Sequence, residues 1–256
     1  MTVSGNEHQK IEKHFDIGAM REWATNGVTT ALRVQQPVAV STVARLRRVH
    51  PDKSPEQLIK FLNNTYLGTV TASGTGAGVA AAVPNGAVQG SFALADLLAF
   101  LESSVWYVLT MAEIYGVDVE DIERRRFLVM TAFLGNSGVT TATQALRKKS
   151  IPYWSKTIIN KIPMGAIQTA NKALGPRFIT KYGTREGLLV LGKQIPLGLG
   201  AIVGAAGNAT FGYFIVRSTK KVLGEAPENW DHLQPKVTEQ IQGEVADEAA
   251  ADPTQS

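Results

Sequence analysis

Two stretches of the chain, 68–90 (GTVTASGTGAGVAAAVPNGAVQG) and 195–216 (IPLGLGAIVGAAGNATFGYFIV), contain no charged side chain and are rich in glycine and alanine. Such segments must hide a great deal of backbone with little side-chain bulk. A bilayer span, a close-packed helix and a glycine loop around a phosphate each achieve this. The phosphate loop needs a strand before it and a helix after it whose N-terminus faces the anion. GAGVAA at 76–81 is spelled like a dinucleotide fingerprint, but Pro84 and Gly86 leave room for only about two helical turns. Neither stretch ends in the Gly-Lys-Ser/Thr of a P-loop, and no alternating strand pattern precedes them. The glycines are therefore read as places where helix backbones approach closely.

The second stretch is long enough to span a bilayer, for which about twenty apolar residues suffice. Gly200 and Gly204 have the spacing of a small-residue packing motif. Against a span stand Pro196, Asn208 in the middle, and a mean hydropathy of −0.03 for the chain. A buried hairpin, a segment lying in the membrane interface and a true span all remain open. The preferred expectation is a tightly packed helix or hairpin beside a membrane.

Charge points the same way. Residues 1–224 hold 25 basic and 14 acidic side chains, whereas 225–256 hold eight acidic residues and one lysine. A basic body favours an anionic partner, either nucleic acid or the negative face of a bilayer. The cations cluster at Arg45, Arg47 and Arg48, at Arg124, Arg125 and Arg126, at Arg147, Lys148 and Lys149, and at Lys220 and Lys221. Aromatic residues do not alternate with them as stacking platforms would, so lipid phosphate is favoured over nucleic acid. The first, third and fourth clusters are the expected lipid contacts. The absence of cysteine excludes disulfides, thiol catalysis and cysteine-ligated metals. The opening MTVSGNEHQKIEKHFDIG does not read as a secretory signal, and a cytoplasmic location is expected.

Helical periodicity dominates, so the expected fold is all-α: one bundle-like domain over 16–224, a flexible start over 1–15, and a disordered acidic tail from 225. Ser54, Pro55 and Gln57 spell a capping box opening a helix over about 55–66. Gly116 and Gly135 read as helix ends and Asp118 as a helix cap. Pro37 should open a helix, and Pro152, Pro163 and Pro176 should divide 147–182 into short ones.

Catalytic patterns are sparse. No histidine has metal-ligand spacing with another histidine or a carboxylate, and GNSG at 135–138 is not a nucleophile elbow. HPDK at 50–53 has the tripeptide of J-domain co-chaperones without their flanking helices, and reads as a turn between helices. Asp96, Glu102 and Glu113 interrupt an apolar helix. They read first as its polar stripe. An alternative groups them with Arg124, Arg125, Arg126 and Asn208 as buried polar residues, the carboxylates lining a pocket of a protein that binds, or an enzyme that acts on, a lipid or other hydrophobic small molecule. No catalytic residue, metal or cofactor is assigned.

Three blocks together resemble the EcsC family of bacterial proteins. They are the glycine-rich GTGAGVAAAVPNGAVQG, the central ADLLAFLESSVWYVLTMAEIYGVDVEDIERRRFLVMTAFLG, and the closing IPLGLGAIVGAAGNATFGYFIVRSTKKV, over roughly 60–224. RRVHPDKSP is similar to an actinobacterial subgroup. The resemblance implies a cytoplasmic or peripherally membrane-associated protein linked to a transport system, with a membrane protein or transporter as partner, and the preferred expectation is a non-enzymatic one. It implies no cofactor and no catalytic residue.

Overall fold

The computed structural model describes residue 22 and residues 26–80, 86–147, 159–182 and 203–233, with backbone alone over 73–80, 86–97, 203–207 and at 232. All regular structure among these residues is helical, as expected. The helices are α1 (Val28–Val49), α2 (Pro55–Ala80), α3 (Gly86–Ile114), α4 (Ile122–Leu134), α5 (Asn136–Ala145), α6 (Met164–Tyr182) and α7 (Val203–Leu223). A short 3-10 turn, Asp231–Leu233, follows.

Two helices form the centre. The second half of α3 is buried nearly all round, from Ser104 to Tyr115, and so is α4 from Phe127 to Leu134. A helix apolar on every face must be enclosed by others. Helices α1, α2 and α7 pack around α3, while α5 and α6 pack around α4. The core is lined by Leu32, Leu62, Tyr66, Leu101, Leu109, Phe127, Phe133 and Phe178, all at most 1% exposed. Between α2 and α3 lies a saturated polar pair of contacts. The Tyr107 hydroxyl donates to Asn63 Oδ1 at 2.6 Å, and Ser104 Oγ, 2.6 Å from the Tyr66 hydroxyl, donates to the Phe100 carbonyl.

The most extensive helix pair is α2 with α7, which carry residues 68–80 and 203–216 of the two glycine-rich stretches, while 86–90 begin α3. At Gly212 the approach is close: an added Cβ would lie 2.8 Å from Val70 Cγ2 and 3.2 Å from Leu67 Cδ2. Gly68, by contrast, faces open space. Residues 76–80 are the last turns of α2, so the dinucleotide-like spelling has no helix N-terminus to offer. No helix among the described residues is long and apolar enough to cross a membrane. Pro196 and Gly200 lie outside the described residues.

Helix ends follow local chemistry. Gln57 N–H donates to Ser54 Oγ and Ser54 N–H to Gln57 Oε1, which closes the capping box. Gly116, at φ 65°, ends α3: its N–H reaches the Glu113 carbonyl and that of Val117 reaches Ala112, a Schellman pair. Gly135 ends α4 at φ 63° and leads straight into α5.

Four expectations need correction. Helix α2 runs beyond 66 to Ala80. Pro37 and Pro176 sit inside α1 and α6 rather than at their ends. Each removes one backbone hydrogen bond, but the carbonyls left open belong to exposed Arg33 and Lys172, where water can replace it. Asp121, not Asp118, caps α4 by accepting from Glu123 N–H, and Asp118 instead accepts from Glu120 N–H within the preceding loop. Residues 225–233, expected to be disordered, are docked: Leu233 is buried, and Ala226 and Trp230 pack against the core. The rest of the acidic tail, Pro152 and residues 1–15 lie outside the described residues.

Candidate functional site

The first basic cluster ends α1. Over its 22 residues this helix carries Arg33, Arg45, Arg47 and Arg48 and no carboxylate. Buried Ala31, Leu32, Ala39 and Val43 seat its inner face on the core. The opposite face follows the spacing 34, 38, 41, 45, 48, which is one stripe of a helix. All five residues there are exposed: Val34, Val38, Ser41, Arg45 and Arg48. Val34 is 55% exposed and Val38 43%, and Val49 at the tip is 59% exposed.

The turn after α1 adds to the same end of the molecule. His50 meets Phe61 edge-on, and the Lys53 ammonium lies 5.1 Å from the Phe61 ring centre. This is the turn expected of HPDK, continued by the Ser54 cap. Helices α2 and α7 run antiparallel, since Gly212 faces Val70 while Lys220 acts on Glu56. The Glu56 carboxylate is held below its ordinary range, chiefly by Lys60 at 2.8 Å, with Lys220 reinforcing the effect. Arg45, Arg48, Lys53, Lys60 and Lys220 therefore share one pole.

Of the other lipid-contact clusters, Lys220 alone among the described residues is placed at this pole. Lys221 donates to Asn136 Oδ1 at the start of α5. Arg147 lies past the far end of α5, about 15 Å of helix further on. It is exposed and adopts φ 51°. Lys148 and Lys149 lie outside the described residues.

The 124–126 cluster faces inward. Arg125 donates to the carbonyls of Val119, Leu32 and Glu120, clamping the loop before α4 onto α1. Burial pushes its guanidinium below its usual pKa, against the opposing pull of Asp121. Arg124 donates to the Ile159 carbonyl at 2.6 Å, and Arg126 binds Glu123 and the Thr29 hydroxyl. Asn171 on α6 completes this seam by donating to both the carbonyl and the carboxylate of Glu123.

Glu102 and Glu113, among the described side chains, lie well apart on α3. Glu102 is exposed and Glu113 half-buried, and eleven residues of helix separate them by about 16 Å. The side chain of Asp96 lies outside those described. Asn208 is half-buried in the first turns of α7. No group of three or more histidine, aspartate or glutamate side chains among the described residues can hold a metal ion.

One feature had no sequence signal beyond a lone aromatic. Trp230, in the acidic segment after α7, donates its indole N–H to the Lys53 carbonyl at 2.9 Å. The Arg47 guanidinium lies 4.8 Å from its ring centre. Arg47 is thus the one cluster member at this pole held by an aromatic face. The arrangement offers exposed arginines beside exposed valines, which is suited to binding an anionic surface. No protein-family model, no curated protein and no solved structure matches this chain.

Proposed function

We propose that the chain is a non-enzymatic, EcsC-like helical protein that binds the negatively charged cytoplasmic face of a membrane peripherally, through the outer face of α1, with a membrane transporter as its protein partner. The single observation that supports this reading is the composition of that face. Single exposed apolar residues are ordinary on protein surfaces. Here Val34 and Val38 lie one turn apart on a helix with four arginines and no acid. Arginine stems lie along apolar surface while their heads reach phosphate, and valines enter the acyl boundary beside them. Each arginine at an anionic surface contributes about 1 kcal/mol, or roughly fivefold in affinity.

Co-sedimentation with phosphatidylglycerol vesicles and with pure phosphatidylcholine vesicles tests the proposal. The protein should prefer the anionic vesicles, and Arg45→Glu with Arg48→Glu should weaken binding by more than twentyfold at low salt. Unchanged binding by that variant refutes the α1 surface. Tight, steeply salt-dependent binding to duplex DNA without vesicle binding would move the surface to nucleic acid.

A further inference from the structure

We infer that residues 224–233 form a releasable strap that holds Arg47, which lies beside the exposed stripe of α1 rather than on it, away from the membrane until the strap lifts. This rests on the lipid-surface reading of α1. Its own support is the geometry of the strap.

Gly224, at φ 84°, turns the chain sharply out of α7, and its carbonyl accepts from the Tyr115 hydroxyl at 3.2 Å. Ala226 and Trp230 lie against the core, Leu233 is buried, and the 3-10 turn is closed by Leu233 N–H on the Trp230 carbonyl. Trp230 makes both contacts with the basic pole: its indole bonds the Lys53 carbonyl, and its ring faces Arg47.

The consequence for charge is specific. Arg45 and Arg48 are exposed, whereas Arg47 is half-buried. Exposed Glu228 and Asp231 flank the tryptophan within two residues, so the docked strap sets carboxylates near the pole that has to meet anionic lipid. A tryptophan and a leucine are also the residues that a bilayer interface accepts once they leave the protein. Lifting the strap therefore frees one arginine, moves carboxylates from the pole, and exposes side chains with another place to go. The equilibrium between docked and lifted forms shifts toward whichever surface binds the freed groups better.

The test uses the full chain and the same vesicles. Trp230→Ala should bind phosphatidylglycerol vesicles about fivefold more tightly, the increment of one arginine, and adding Arg47→Gln should erase that gain. In the unmodified protein, backbone hydrogen exchange over 225–233 should accelerate at saturating anionic vesicles. That measurement stands even where Trp230→Ala fails to fold. Equal or weaker binding by Trp230→Ala overturns the strap, as does unchanged or slower exchange over 225–233. The α1 reading survives either result provided Arg45→Glu and Arg48→Glu still weaken binding. Absence of binding by both the unmodified protein and Trp230→Ala overturns the strap together with the α1 reading.

Discussion

Replacing Gly135 with alanine tests the corner on which the α4 side of the fold turns. Gly135 sits at φ 63°, ψ −131°, a region that residues with a β-carbon avoid. Holding an alanine there costs about 1–3 kcal/mol. The new Cβ would also lie 2.7 Å from Phe214 Cζ and 3.2 Å from Ser218 Oγ. The ring has to move, and comparable overpacking costs about 1–3 kcal/mol. The same ring supports the Lys181 ammonium 4.5 Å from its centre, so its displacement disturbs a second contact. The sum is about 2–6 kcal/mol, a large part of the 5–15 kcal/mol typical of a domain. Urea unfolding followed by circular dichroism reads it as a fall in midpoint at unchanged slope. Combining Gly135→Ala with Phe214→Leu separates the causes. The smaller side chain should recover the steric part, giving a coupling of about 1–3 kcal/mol, and leave the backbone part. A single-variant loss below about 1 kcal/mol refutes the argument.

The buried hydroxyls and amine make further predictions. Burial pushes the Lys181 amine down to about 8, below its ordinary 10.5, while Lys181 donates to the Phe133 carbonyl. Its folded form binds fewer protons than its unfolded form, so stability should rise from pH 8 to 10, by up to about 3 kcal/mol before allowance for partial exposure. Lys181→Met should flatten that rise in pH-dependent melts. Burial raises Tyr115 to about 12, and raises Tyr66, Tyr107 and Tyr182 as well. Their stabilisation is present below pH 10 and is lost as pH climbs above it, so alkaline unfolding should be steep and coincide with tyrosinate absorbance. Tyr107→Phe strands the buried Asn63 Oδ1 and should cost about 1–3 kcal/mol in denaturant unfolding, whereas the double variant with Asn63→Leu should recover part of it. Arg125→Ala removes three bonds to carbonyls and should cost about 3 kcal/mol, with faster hydrogen exchange around Leu32 in α1.

What was legible in the sequence was local punctuation. Ser54 with Gln57, Gly116 and Gly135 act within one turn of chain, and the structure shows each doing so. What was not legible depended on distant partners. Pro37 is tolerated because buried residues on both sides of it hold α1 to α3, which no local rule contains. VDVEDIE offers Asp118 and Asp121 as caps. The choice falls on Asp121 because Val117 and Val119 are buried and Arg125 grips the intervening carbonyls. Trp230 docks on a turn that lies 177 residues earlier in the chain. Its one trace in the sequence was an aromatic residue among acids, which composition alone assigned to a disordered tail.

The same distinction separates two arginine clusters that look alike as text. Arg125 spends three of its five N–H donors, one from each guanidinium nitrogen, on carbonyls of its own chain, so its removal strips the fold. Arg45 and Arg48 are exposed on a helix whose other face carries the burial, so their removal takes away mainly water contacts. The helix around each cluster carried a hint: ERRR leads into FLVMTAFL, apolar but for Thr131, which must be enclosed, whereas RLRR ends a helix with regularly spaced polar positions. The two clusters should therefore divide cleanly by assay. Arg45→Glu and Arg48→Glu should each leave stability within about 0.5 kcal/mol while weakening binding to anionic vesicles in a salt-dependent way. Arg125→Ala should lower stability, yet still bind such vesicles as tightly as the unmodified protein wherever it remains folded. If Arg45→Glu unfolds the protein, or folded Arg125→Ala loses vesicle binding, hydrogen bonding to the fold is the wrong criterion for choosing between them.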